Sequence, residues 1–245
     1  MTSPPAQTAS TARAVLLDFG GTLYDYASLA RAEAESLRKL VEWAGIDAPE
    51  EDLRLAQRDA MRTVFADYLA RPFYLHRDLF DDSVRALLAS FGVEAQEEWL
   101  ADYRTAQWAG HTRDLELRPG VSETLSRLRA RGLHVGMVSN IDEDQLEHLL
   151  EISGLRPYFD EILSSERAGS CKPDGAIFER ALASAECSPS EALFVGDSRA
   201  ADIAGANAKG LRSVLIWHRA DRRPPAGDPQ PAHVIRSIPE LLELI

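Results

Sequence analysis

Ala14-Val15-Leu16-Leu17-Asp18-Phe19-Gly20-Gly21-Thr22-Leu23 is the stretch on which the fold turns. Four aliphatic residues in a row, followed at once by a carboxylate and two glycines, read as a short buried strand running into a loop. Comparable apolar runs recur at residues 133–138, 192–195 and 213–217. Between them the period changes to that of helices. Val121, Leu125 and Leu128 lie in a segment opened by Pro119 and closed by Gly132; Leu146, Leu149 and Leu150 form a second face, and Ile177, Phe178, Ala181 and Leu182 a third. This alternation over residues 119–217 predicts an α/β fold, a doubly wound (Rossmann-like) parallel sheet with helices on both faces.

Between the first strand and Pro119 no strand pattern is found, only helical ones. Leu37, Leu40, Val41 and Ala44 share a face that stops at Gly45; Pro49 opens a helix carrying Leu53, Ala60 and Val64; Leu87, Leu88 and Phe91 end another before Gly92; Trp99 and Tyr103 mark a fourth. The organisation expected is a tail over residues 1–13, a catalytic core of 14–24 and 116–245, and an inserted helical cap over 25–115, with hinges near 24–26 and 115–117. Residues 219–232, with Pro224, Pro225 and Pro229, read as a loop, and 238–245 as a closing helix.

Composition narrows the function. Of the 245 residues 45% are hydrophobic and 27% charged, enough apolar surface for a sizeable core. The formal net charge of −12 opposes binding to DNA, RNA or anionic lipid, and the inserted segment is itself acidic, so small molecules are the expected partners. No run nears the ~18 apolar residues of a membrane span, and the first residues do not resemble a signal peptide, which makes a cytoplasmic location the expectation. Cys171 and Cys187 have no zinc-type spacing and are read as reduced and structural. Oligomeric state is not encoded in any pattern found.

Open α/β sheets place ligands at the carboxyl ends of their strands. Four such positions carry reactive groups: Asp18, Ser139, Lys172 in the loop Gly169-Ser170-Cys171-Lys172-Pro173, and Asp197. Each alone has an ordinary explanation as a turn, cap or loop residue. Together, in this order, they resemble the haloacid dehalogenase superfamily, in its subgroup with a helical cap after the first strand. The motifs that carry the resemblance are Asp18-Phe19-Gly20-Gly21-Thr22-Leu23, Val138-Ser139-Asn140, Lys172-Pro173-Asp174 and Phe194-Val195-Gly196-Asp197-Ser198 followed by Asp202.

The resemblance implies a hydrolase with Asp18 as nucleophile, Lys172 and Ser139 as its catalytic partners, and a substrate phosphate held by Thr22, Gly21, Ser139, Asn140 and Lys172. It also implies Mg²⁺ held by Asp18, Asp197 and the main-chain carbonyl of Gly20, with Asp202 as a further ligand or a carboxylate just behind. These residue types suit the chemistry. A carboxylate approaching a phosphoryl group needs a metal ion and an ammonium to cancel charge, and oxygen donors without His or Cys favour Mg²⁺.

One position departs from the family. Its phosphatases usually carry a second Asp two residues after the nucleophile, as proton donor to the leaving alcohol; here Gly20 stands there. Another acid is one explanation, with Asp25, Asp78, His76 and His111 as candidates by type, each read in the first instance as a solvated surface residue. Dehalogenation is a second, since halide leaves without a proton, although Asp197 and Asp202 speak for a metal site. Phosphonate cleavage would need a cap lysine, and Lys39 reads as a solvated helix residue. A catalytically weak member kept as a binding protein is the remaining alternative. The expected activity is a Mg²⁺-dependent phosphatase for a small phosphorylated metabolite. Phe73, Tyr74, Trp43, Trp99 and Trp108 are read as cap packing, and Arg71, His76 and Arg77 as an exposed loop.

Overall fold

The computed structural model describes residues 12–218 and 227–245. In chain order its elements are β1 (Ala14–Leu17), α1 (Tyr26–Trp43), α2 (Glu50–Tyr68), α3 (His76–Ser90), α4 (Glu97–Asp114), α5 (Val121–Ala130), β2 (His134–Ser139), α6 (Glu143–Ser153), β3 (Glu161–Ser164), α7 (Ser165–Ala168), α8 (Gly175–Ser184), β4 (Ala192–Gly196), α9 (Ala204–Ala208), β5 (Arg212–Ile216) and β6 (His233–Ile235). The strands form one six-stranded sheet in the order β3-β2-β1-β4-β5-β6, all pairs parallel. The chain therefore winds outward from β1 to one edge, returns, and winds outward to the other from β4. The crevice where the direction reverses lies at the carboxyl ends of β1 and β4.

Strand periodicity explains how so short a β1 nucleates two cores. Val15 and Leu17 face one side with Leu125, Leu128, Leu146 and Leu149, whereas Ala14 and Leu16 face the other with Ile177, Phe178 and Leu182. All four strand residues are at most 1% exposed. A strand covered on both faces must be apolar throughout, which is why it reads as a continuous run. Helices α1 to α4 bury a third cluster of their own, with Leu37 and Leu40 against Leu53, Leu87, Leu88 and Leu100. Trp43 and Trp99 pack at its margin, while Phe73 is exposed and Trp108 stacks on His148.

Several elements differ from the sequence expectation. Strands β3 and β6 were not anticipated; they are the sheet's two edges, short and only partly buried, and so lack an apolar run. The closing helix is a 3₁₀ segment, Ile238–Glu243, whose buried Ile238 and Leu241 line up at the three-residue spacing that this helix favours. Residues 1–11 of the expected tail and 219–226 of the expected loop lie outside the described residues. Arg13 belongs to the core edge, since its N–H donates to Glu191 O (2.8 Å) and its carbonyl accepts from His134 N (2.9 Å).

Among the contacts between the inserted helices and the core is a buried carboxylate, Asp142. Asp142 occupies the N-cap position of α6, yet its oxygens accept from the N–H groups of His76 (2.7 Å) and Arg77 (2.9 Å), the first two residues of α3. Two helix N-termini thus converge on one anion, each favouring it. Arg77 adds an ion pair to Glu166 (2.8 Å), and Cys171 N donates to Pro72 O (2.8 Å). Asp142→Asn is expected to leave one of these donors facing an amide N–H and to lower stability by ~1–3 kcal/mol, a Tm loss of several degrees. An unchanged Tm would show that the contact contributes nothing to the fold.

Candidate active site

Lys172 stands at the centre of the crevice. Its Nζ lies 2.7 Å from Asp18 Oδ1 and 2.7 Å from Asp202 Oδ1 and donates to Val138 O at 2.9 Å. Asp18, Asp202 and Lys172 are all buried. Burial alone would lower the Lys172 ammonium, but Asp18 and Asp202 outweigh it and hold the group above the ordinary lysine value. Removing either partner of such a pair strands a buried charge.

Asp197 follows β4 and brings a third carboxylate to the same point. One oxygen from each of Asp18, Asp197 and Asp202 falls within 4.8 Å of the others. Three carboxylates face one ammonium. Burial, with Asp18 and then Asp202 nearby, pushes the Asp197 carboxyl above its usual range, and Asp202 is raised by burial and by Asp18. Asp202 is also held by the Ser198 N–H (2.9 Å), whereas Asp197 makes no ion pair among the described residues. An excess of buried oxygen donors with no soft ligand is the electrostatic setting that a hard divalent cation relieves. The cluster therefore fits a metal ion of the Mg²⁺ type.

The loop after Asp18 wraps closely around this cluster. Gly21 has φ +74°, and a Cβ there would overlap Asp197 Oδ2 and stand 2.7 Å from its Cγ, so only glycine lets the main chain pass. The Gly21 carbonyl accepts from the Arg118 guanidinium (3.0 and 3.1 Å), tying the loop to the return strand of chain after the insertion. Gly20 is not at positive φ. Thr22 Oγ1 donates to Asp18 Oδ2 at 3.0 Å, which fixes the carboxylate's plane. Ser139, at the end of β2, is buried, and its hydroxyl makes no hydrogen bond to a described residue. Asn140, expected among substrate contacts, spends its amide on the main chain of Lys172, with Nδ2 donating to the carbonyl (2.9 Å) and Oδ1 accepting from the N–H (2.7 Å). All nine residues singled out in the sequence thus lie at this end of the sheet.

The four acids considered by type fare differently. Asp78 is exposed on α3. Asp25 caps α1 through Ala27 N (3.0 Å) and pairs with Arg118 (3.1 Å); its carboxyl is held below its usual value, first by the Ala27 N–H, and so stays ionised. His76 and His111 are not solvated surface residues. His111 is buried, and His76 has a buried Nε2 without a hydrogen-bond partner among the described residues, with its ring stacked on Tyr74 at 5.5 Å. Burial, followed by the charge of Lys172, lowers His76 to about 4, so its ring is neutral near pH 7. Arg71 and Arg77 pair with Asp67 and Glu166, and Lys39 is exposed. Sequence reasoning missed Tyr26, whose hydroxyl end reaches Gly20; as the first residue of α1 it read only as a hinge.

The chain belongs to the haloacid dehalogenase-like hydrolases, whose family model matches residues 12–210. Among curated relatives, the ribulose-1,5-bisphosphate 5-phosphatase of Halopiger xanaduensis is 32% identical over 96% of this chain and 99% of its own length. The glyceraldehyde 3-phosphate phosphatase of Methanopyrus kandleri is 30% identical over 95% of this chain and 97% of its own. Among solved structures, the HAD-hydrolase YfnB from Bacillus subtilis, bound to magnesium, superposes with a TM-score of 0.77 at 26% identity, covering 95% of this chain and 98% of that one. The protein is a hydrolase of this family with phosphatases among its relatives, and no helix of the described residues is long and apolar enough to cross a membrane.

The buried imidazole of His76 makes a pH prediction. The unfolded chain takes up a proton at this residue near pH 6.5, the folded one only near 4. More protons are bound unfolded in that window, so stability falls as pH drops through it. Replacing His76→Phe, which keeps the aromatic stack, is expected to flatten the loss between pH 7 and pH 4 by up to ~3 kcal/mol in denaturant titrations. Equal slopes for the two proteins would place the imidazole in contact with water.

Proposed function

We propose that this hydrolase is a Mg²⁺-dependent phosphatase that cleaves small phosphorylated metabolites through an aspartyl-phosphate on Asp18. The single observation that supports it most is the sharing of one buried ammonium, Lys172, between Asp18 and a carboxylate cluster that calls for a further cation. A dehalogenase has no need of that surplus of negative charge. The names of the full-length relatives point to sugar phosphates as the first substrates to try.

In this reading Asp18, Asp197 and the Gly20 carbonyl hold the ion, with Asp202 behind them. The ion, when bound, supplies positive charge to the phosphoryl oxygens. Thr22 and Lys172 fix the Asp18 carboxylate so that one oxygen is presented along the line of attack. Lys172 offsets repulsion between that carboxylate and the incoming phosphate, and the free hydroxyl of Ser139 and the main-chain N–H groups beside Gly20 and Gly21 hold the remaining oxygens. Asp18 Oδ bonds to phosphorus as the bond to the leaving oxygen breaks; water then attacks phosphorus, releasing inorganic phosphate and restoring the carboxylate. Helices α1 to α4 act as a cap over the crevice, entered and left through adjacent strands of chain in which Tyr24 bridges Leu117 and Arg118 N donates to Leu23 O (2.9 Å).

Phosphate release from ribulose 1,5-bisphosphate, glyceraldehyde 3-phosphate and a wider metabolite panel, beside halide release from haloacids, tests the assignment. Phosphate release that EDTA stops and Mg²⁺ restores is expected, with a folded Asp18→Asn protein losing turnover altogether. Halide release without phosphate release, or full activity in Asp18→Asn, would overturn it.

A further inference from the structure

A phosphatase of this design lacks one component, a proton for the leaving oxygen, and the structure shows what has replaced the missing side chain. A Cβ built on Gly20 would fall inside the van der Waals envelope of the Tyr26 hydroxyl, 3.0 Å from Tyr26 Cζ and 3.1 Å from Tyr24 Oη. The backbone at Gly20 does not itself demand glycine. What a side chain there would meet is the phenol of Tyr26, which fills its space. The same ring passes over Gly21, where Cε2 would stand 2.8 Å from a Cβ that also overlaps Asp197 Oδ2, so the phenol runs alongside the carboxylate cluster.

The ring is held, and its oxygen is free. Tyr26 packs edge-to-face on Tyr24 (centroids 5.5 Å apart), and Tyr24 does so on Phe19 (5.1 Å), the residue next to the nucleophile. The start of α1 is fixed by Asp25, which caps the helix and is bound by Arg118. No hydrogen bond to a described residue occupies Tyr26 Oη. The residue is 53% exposed overall while its hydroxyl end lies against Gly20, so one edge of the ring faces the space from which a substrate arrives. None of the four acids considered by type matches this: burial pushes His76 and His111 toward the neutral form, Asp25 is ionised and engaged, and Asp78 is exposed.

We propose that the hydroxyl of Tyr26 is the proton donor to the leaving-group oxygen, occupying the place left open by Gly20. This rests on the phosphatase reading of the site. As Asp18 Oδ bonds to phosphorus and the bond to the leaving oxygen breaks, the Tyr26 proton moves to that oxygen and an alcohol departs. The phenolate then takes a proton from the water that attacks phosphorus, so Tyr26–OH, the Asp18 carboxylate and phosphate are all restored. An alkoxide is a stronger base than a phenolate, so the transfer assists alkyl phosphates and matters little for a leaving group that is already stable as an anion. The substrate class implied is therefore phosphate esters of aliphatic alcohols.

Tyr26→Phe keeps the ring and its packing and removes only the oxygen. With Mg²⁺ present, kcat on an alkyl ester such as ribulose 1,5-bisphosphate is expected to fall by ~10²-fold or more, and on nitrophenyl phosphate by less than about threefold. Equal losses on the two esters would make Tyr26 merely structural, and no loss on either would remove it from the reaction; both overturn the assignment while leaving the phosphatase reading intact. If the unaltered protein releases phosphate from neither ester, the phosphatase reading and the assignment fall together.

Discussion

One buried ammonium organises the crevice. Among the described residues Lys172 is the cation held between Asp18 and Asp202, and without it the carboxyl ends of β1 and β4 would bring like charges together in a site shielded from water. Its placement is not left to a flexible side chain. Asn140 clasps its main chain on both sides, Val138 O accepts from its ammonium, and the sheet sets the distance to Asp18 through the pairing of β1 with β2. Fold and chemistry are thus linked by the same residue: the parallel sheet positions the loops, and the lysine makes their convergence tolerable.

The remaining imbalance gives the site its character. One ammonium cannot neutralise three carboxylates, and the deficit falls on Asp197, which lies under Gly21 and makes no ion pair among the described residues. A fold that pays for such a surplus does so only if something positive arrives later. The loop of Gly20 and Gly21 is shaped by the same crowding. At Gly21 a positive φ and a carboxylate forbid a side chain, whereas at Gly20 it is a movable phenol that occupies the space.

How much of this was legible in the sequence depends on how local its cause is. Strands β1, β2, β4 and β5 declare themselves because burial on both faces demands unbroken apolar runs, and the four inserted helices because each has a stripe facing a common core. The edge strands β3 and β6 do not, since half of each faces outward. Asp18, Ser139, Lys172 and Asp197 could be placed by their position at strand ends, and Asp202 only through the motif that carries the family resemblance. Asn140 was legible as a site residue but not as the clasp on Lys172, a contact across 32 residues of chain. Tyr26 was illegible for another reason. What marks it is the absence of a side chain at Gly20 seen together with the path of α1, and the latter is set by Asp25 and Arg118, far apart in sequence.

The clasp at Asp142 has a consequence for motion. A hydrogen bond weakens steeply once its partners part by a fraction of an ångström, yet water cannot enter to replace it until the gap admits a whole molecule. Separation there would take two N–H donors from Asp142 at once and leave it the Arg77 guanidinium, 3.6 Å away. Were α3 to lift from α6, both donors would leave Asp142 together, so the seam favours the seated position.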